Sequence, residues 1–171
     1  KDAKEQTTLV KDNQNNALAY DYDAASRLLK TTDPDGNNII HHYDVHNHIT
    51  KTQDPDMGTF TYFTNGFGEL ISQTDGKSQT VSVEYDSISR PTKRTEPEGV
   101  TRWYYDTKPY GKGLIDSITS YNFYKAVYTY DTLSRLIAFA ERIDSQWYTT
   151  TTEYDSFSRV RKKTYPSGFA T

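Results

Sequence analysis

The chain has 171 residues, of which 34% are apolar, with fifteen Tyr, seven Phe and two Trp and a formal net charge of −3. One domain fits that length, but its burial has to come from rings whose polar tips need partners, which suits a sheet surface better than a globular interior. Lys and Arg scattered among Asp and Glu exclude a nucleic-acid footprint, no apolar run approaches the ~18 residues of a membrane span, and the lack of Cys excludes disulfides and thiolate metal sites.

In chain order the same unit returns. YDAASRLLKTTDPDG sets a turn from Asp23 to Ser26 and a corner at Asp33–Gly36. YDVHNHITKTQDPDMG repeats it with Asp44, Asn47 and a corner at Asp54–Gly58. YFTNGFGELISQTDG puts Asn65 and Gly68 in register, with a corner at Asp75-Gly76. YDSISRPTKRTEPEG follows with Asp86, Ser89 and Glu96–Gly99, and YYDTKPYGKGLIDSITS supplies Asp106. YDTLSRLIAFAERID has Asp131 and Ser134, and YDSFSRVRKKTYPSG has Asp155, Ser158 and a corner at Tyr165–Gly168. The turn positions 23, 44, 65, 86, 106, 131 and 155 are spaced by 21, 21, 21, 20, 25 and 24 residues, which makes residues 1–171 one fragment of about seven repeats.

A period near 21 is too short for a pair of helices and suits two short strands with two turns. Asp is a favoured first residue of a type I turn because its carboxylate accepts a backbone N–H two residues on. Three positions later the backbone of a bulged hairpin goes left-handed, which Gly prefers, Asn tolerates and Ser adopts at a cost. Alternation places Leu18, Tyr20 and Tyr22, then Val81, Val83 and Tyr85, then Ala126, Tyr128 and Tyr130, on one face. After the turn Leu28, Ile49, Leu70, Leu136 and Val160 occupy one position, where repeat four has Pro91. Each is expected to pair across its hairpin with the preceding Tyr. The fold class read from this pattern is all-β, an antiparallel hairpin strip of about fourteen strands, long enough that it should twist and curl. Its apolar face needs a cover and its open edges favour self-association.

The recurring Tyr-Asp-x-x-Ser-Arg units with Glu-Pro-Glu-Gly and Tyr-Pro-Ser-Gly corners closely resemble the Rhs or YD-repeat family, whose common form has Gly where four repeats here have Ser. The resemblance implies a strip wound into a hollow β-shell, a secreted or cell-surface setting on a bacterium, and partners consisting of the rest of the parent shell and an enclosed toxic C-terminal domain. Animal teneurins carry a related shell. The opening Lys1 and the lack of a shell-closing core segment mark an expected excised piece of wall.

Other residue groups invite chemistry. Arg27, Arg90, Arg135 and Arg159 recur one residue after Ser; they either form a basic ladder or, as periodicity favours, pair with a carboxylate or stack on a Tyr. The turn Asp and Ser mimic a nucleophile pair, yet repeats one, four, six and seven have no His to act as base, so no enzyme, catalytic residue or cofactor is expected. His41, His42, His46 and His48 cluster on one hairpin, but local degeneration of the repeat explains them better than a metal site. Asp33-Pro-Asp-Gly-Asn begins like a calcium loop and then lacks Gly and Glu at its sixth and twelfth positions. Tyr104, Phe123, Tyr124, Trp147 and Tyr148 are the candidate glycan contacts for the alternative reading, a carbohydrate- or receptor-binding surface.

Overall fold

The computed structural model describes all residues, Lys1–Thr171. It contains fifteen strands and no helix: β1 (Leu9–Lys11), β2 (Ala17–Tyr22), β3 (Leu28–Thr32), β4 (Asn38–Tyr43), β5 (Ile49–Asp54), β6 (Gly58–Thr64), β7 (Leu70–Thr74), β8 (Thr80–Tyr85), β9 (Pro91–Glu96), β10 (Gly99–Tyr105), β11 (Ile115–Thr119), β12 (Lys125–Tyr130), β13 (Leu136–Ile143), β14 (Gln146–Tyr154) and β15 (Val160–Thr164). Strand order equals chain order, and each strand is hydrogen-bonded to its sequence neighbours. The chain divides into two compact units, Lys1–Ser82 and Val83–Thr171.

Seven hairpins account for fourteen strands, and the fifteenth is β1. It follows a turn built on Asp2, whose Oδ1 accepts the N–H groups of Lys4 and Gln6 at 2.9 Å while Glu5 takes φ 63°. Asp2 stands 21 residues before Asp23, so an eighth copy of the turn precedes the recognised seven. It carries no Tyr, Ser or Arg that would betray it.

The hairpins share one irregularity. In β2–β3, Asp21 faces Lys30 but Tyr22 faces Leu28, leaving Leu29 as an extra residue. The same slip follows Tyr43–Ile49, Thr64–Leu70, Tyr105–Ile115, Tyr130–Leu136 and Tyr154–Val160. This is a β-bulge, which re-aims a side chain and sharpens local twist. The left-handed residue of the preceding turn feeds it: Ser26, Asn47, Gly68, Gly113, Ser134 and Ser158 have φ between 60° and 83°.

Corner turns often reuse the Asp design. Asp33 Oδ1 accepts the N–H groups of Asp35 and Asn37, and Gly36 is left-handed. At the corner expected from Asp75-Gly76, the left-handed residue is Ser78 and not Gly76, because Asp75 is the first residue of the turn.

Register separates the faces. Within the first unit Tyr20, Thr31 and Ile39 form one cross-strand row, and Asp21, Lys30 and Ile40 form a row on the other side. Within the second, Tyr128, Phe139 and Thr150 share the Tyr-rich face, where the two rings lie 5.1 Å apart. With the strands of each unit paired edge to edge, burial is confined to Gly111, Asp116 and Ala126. Stability must come from the ladder and from side-chain links between neighbouring hairpins.

Candidate functional site

The links are built on the turn carboxylate. Asp23 Oδ1 accepts the N–H groups of Ala25 (2.8 Å) and Arg27 (2.9 Å), and its Oδ2 accepts Arg27 Nε–H at 2.6 Å. The backbone closes the same loop: Asp23 N–H donates to the Arg27 carbonyl and Ser26 N–H to the Asp23 carbonyl. Aspartate can saturate this loop because one oxygen serves the main chain and the other the guanidinium.

The rest of the guanidinium faces the next repeat. Arg27 Nη1–H donates to the Asp44 carbonyl at 3.0 Å, and its charged carbon lies 4.8 Å from the centre of the Tyr43 ring. Tyr43 completes the circuit by donating its hydroxyl to the Leu28 carbonyl at 2.9 Å. Three residues of the motif thus act across a boundary: Asp holds Arg, Arg covers the following Tyr, and that Tyr bonds the strand just after Arg.

Two further copies keep this geometry. Arg90 is held by Asp86 at 2.7 Å, reaches Asp106 Oδ2 at 2.6 Å and lies 4.2 Å from the Tyr105 ring, whose hydroxyl meets the Pro91 carbonyl at 2.9 Å. Arg135 is held by Asp131, donates to Ser158 Oγ and covers Tyr154 at 4.4 Å, and Tyr154 donates to the Leu136 carbonyl at 3.1 Å. Tyr22 and Tyr130 make the hydroxyl bond, to Thr7 and Ile115, without an arginine. Arg159 is held by Asp155 but its side chain is 74% exposed, against 22–27% for Arg27, Arg90 and Arg135. The recurring Arg therefore both pairs with its turn carboxylate and, in three repeats, stacks on a Tyr.

Charge follows contact. Asp23, Asp86 and Asp155 are held below the usual carboxylate range first by the backbone N–H of Arg27, Arg90 and Arg159, and Asp131 first by the Arg135 side chain. Arg90 is pushed further toward its charged form, first by Asp106 and then by Asp86. Burial raises the Tyr105 and Tyr130 phenols, keeping both as hydroxyl donors at neutral pH.

Repeats two, three and five depart from the pattern. His48 takes the arginine position and lies 3.2 Å from Asp44 Oδ2. In repeat three, amide and acid exchange places: Asn65 Nδ2–H donates to Glu69 Oε2 at 2.6 Å, leaving Glu69 Oε1 buried without a hydrogen bond. In repeat five Asp106 starts a longer loop and accepts Gly113 N–H. That loop is organised by Asp116, a buried residue that sequence reasoning missed. Its carboxylate accepts Thr107 N–H at 2.6 Å, Thr107 Oγ1–H at 2.7 Å and Lys108 N–H at 3.3 Å. Asp116 occupies the bulge position, which elsewhere holds Leu29, Thr50, Ile71, Ile137 or Arg161, so a polar residue there carried no distinctive signal in the sequence.

The five candidate glycan rings do not converge. Trp147 and Tyr148 are consecutive in β14 and lie on opposite faces. Tyr148 faces Glu141, which Tyr124 reaches with its hydroxyl at 3.5 Å. Trp147 faces Arg142, whose guanidinium donates to the Phe123 carbonyl at a corner tip. Tyr104 lies on the Trp147 face but in β10, opposite Ser117. Among the histidines, His41 bonds Thr52 and His42 bonds Gln53 on opposite faces, while His46 and His48 stack at the turn with ring centres 6.2 Å apart.

The chain is similar to known proteins in sequence and in fold. The model of the RHS Repeat family matches residues 2–38 and 22–59. Teneurin-4 of Homo sapiens and that of Mus musculus are each 31% identical over 109 residues, 64% of this chain and 4% of theirs. Among solved structures, the TcdB2-TccC3 complex superposes with a TM-score of 0.73 at 14% identity, covering 90% of this chain and 10% of that one. A Photorhabdus luminescens Tc holotoxin pore superposes at 0.68 with 19% identity, covering 94% and 10%. Such identities show a shared fold. The chain spans a small part of the length of every relative named.

Proposed function

Because the chain belongs to the RHS-repeat family, we propose that it is a non-enzymatic stretch of wall in a curled β-shell that encloses a toxic C-terminal domain outside the cell that made it. The observation that carries this reading is the Asp–Arg–Tyr link. Its chemistry is spent inside the sheet: the carboxylate is saturated by two N–H groups and a guanidinium, and the phenol by a carbonyl. None is left in a cleft as nucleophile, acid or base.

As a wall the arrangement has a clear logic. The ladder closes the surface, the bulged turns define a rim, and each link ties a hairpin to its successor without a conventional core. A glycan- or receptor-binding role for the aromatics is less well supported, because Tyr104, Phe123, Tyr124, Trp147 and Tyr148 divide between two faces and a corner.

The test uses the full parent chain. Limited proteolysis should leave its C-terminal domain intact while the shell is closed, and should digest it once Arg27, Arg90 and Arg135 are replaced together by Met. A C-terminal domain cleaved equally fast in both proteins would count decisively against encapsulation.

A further inference from the structure

At one junction in the first unit the Arg–Tyr pair is missing from both sides. Repeat two offers His48 in the arginine position, and repeat three offers Thr64 in the tyrosine position. The anchoring half survives: His48 Nδ1 is 3.2 Å from Asp44 Oδ2 and 3.4 Å from Thr64 Oγ1. The ring is what has gone, since threonine cannot cross to the Ile49 carbonyl as Tyr43, Tyr105, Tyr130 and Tyr154 cross to Leu28, Pro91, Ile115 and Leu136.

An open groove lies beside these two side chains, lined by Asp44, His46, His48, Thr64, Phe67 and Gly68. One wall is the pair of stacked imidazoles. Gly68 lets the His48 ring reach across to the next turn: a Cβ there would sit 3.1 Å from His48 Nε2, and the φ of +82° already favours glycine. Phe67 stands at the mouth, 90% exposed, and Ile49 is 38% exposed.

We propose that this groove binds a tyrosine side chain presented by a protein partner, with its ring against the His48 imidazole and its hydroxyl donating to the Ile49 carbonyl. The argument for that occupant is internal to the chain. At five other junctions the corresponding place is filled by a phenol bonded to the corresponding carbonyl, and at three of them a planar cation stacks on the ring. Here a planar imidazole and the equivalent carbonyl remain, while the chain supplies no ring. The proposal is independent of the shell reading, because it requires only the hairpins β4–β5 and β6–β7.

N-acetyl-tyrosinamide titrated into the isotope-labelled chain should shift the His48 ring signals and the Ile49 and Gly68 amides saturably in the millimolar range. N-acetyl-phenylalaninamide, which lacks the hydroxyl, should bind at least threefold more weakly. Thr64→Tyr fills the groove from within and should abolish the shifts while raising the thermal midpoint. Absence of saturation, equal affinity for both probes, or undiminished shifts in Thr64→Tyr would overturn the proposal. Should Thr64→Tyr fail to fold, His48→Ala replaces it: a fivefold or greater loss of affinity supports the site, and retained affinity overturns it.

Discussion

Removing the hydroxyl of Tyr154 isolates one component of the link between the last two hairpins. Tyr154→Phe leaves the ring under Arg135, 4.4 Å from its charged carbon, and deletes only the 3.1 Å bond to the Leu136 carbonyl. The net value of such a bond is about 0.5–1.5 kcal/mol, toward the upper end if the Leu136 carbonyl finds no water. Tyr154→Leu also removes the ring, and a half-exposed cation–π contact adds about 0.5–1 kcal/mol, so the total expected loss is about 1–2.5 kcal/mol before any change in buried area. The cation–π share is separable: in a cycle with Arg135→Met, the coupling between Arg135 and Tyr154 should be about 0.5–1 kcal/mol. Urea unfolding followed by tryptophan fluorescence in a Trp103→Phe background leaves Trp147 as the reporter, on the same strand, β14. Because repeat sheets can unfold piecemeal, hydrogen exchange of the β13 and β14 amides should show the same ranking. A Tyr154→Phe protein as stable as the parent, together with zero coupling to Arg135, would show that the contact is geometric and not energetic.

Further outcomes follow from the same geometry. Ser158 is left-handed at φ 63°, so Ser158→Gly should raise stability by about 0.5–1 kcal/mol in thermal unfolding; a lower midpoint would mean the side chain is needed for its bond from Arg135. Asp116→Asn replaces an acceptor that serves three donors with an amide that has donors of its own, and should cost about 1–3 kcal/mol with faster exchange at Thr107 and Lys108; unchanged exchange there would refute its organising role. Acid should weaken the sheet. Asp23, Asp86, Asp131 and Asp155 have depressed folded values, so their contribution is present above the unfolded value of about 3.9 and is lost as pH falls through the folded ones. Melting midpoints should therefore drop below about pH 4, and Asp131→Asn should flatten that slope; a wild-type midpoint flat from pH 5 to pH 2 would argue against the carboxylate anchors.

The period, the hairpins and their turns were legible because they depend on local chemistry. Asp followed three residues later by Ser, Asn or Gly states a backbone geometry within four residues, and alternation of Tyr with polar residues states which face each strand offers. The partner of each Tyr hydroxyl was less legible. It lies 14–18 residues earlier, in the preceding hairpin, and periodicity alone cannot distinguish packing beside Leu28 from bonding to its carbonyl. Asp2 and Ser78 escaped notice for the opposite reason: their turns are held by backbone and carboxylate, so neighbouring side chains were free to lose the signature. The glycan candidates were chosen by composition, and strand register then separated Trp147 from Tyr148, a distinction invisible without knowing where the sheet's faces lie.

The tie from Arg27 to Tyr43 runs one way along the chain: a repeat gives a guanidinium forward and receives a phenol hydroxyl on its own carbonyl. A unit that begins with Tyr and ends in Arg can thus be inserted, duplicated or deleted, and its former neighbours still meet a matching half. Genetic recombination between units can lengthen or shorten such a sheet without redesigning an interior, because compatibility at a seam of this kind is carried by two side chains and not by the packing of a shared core.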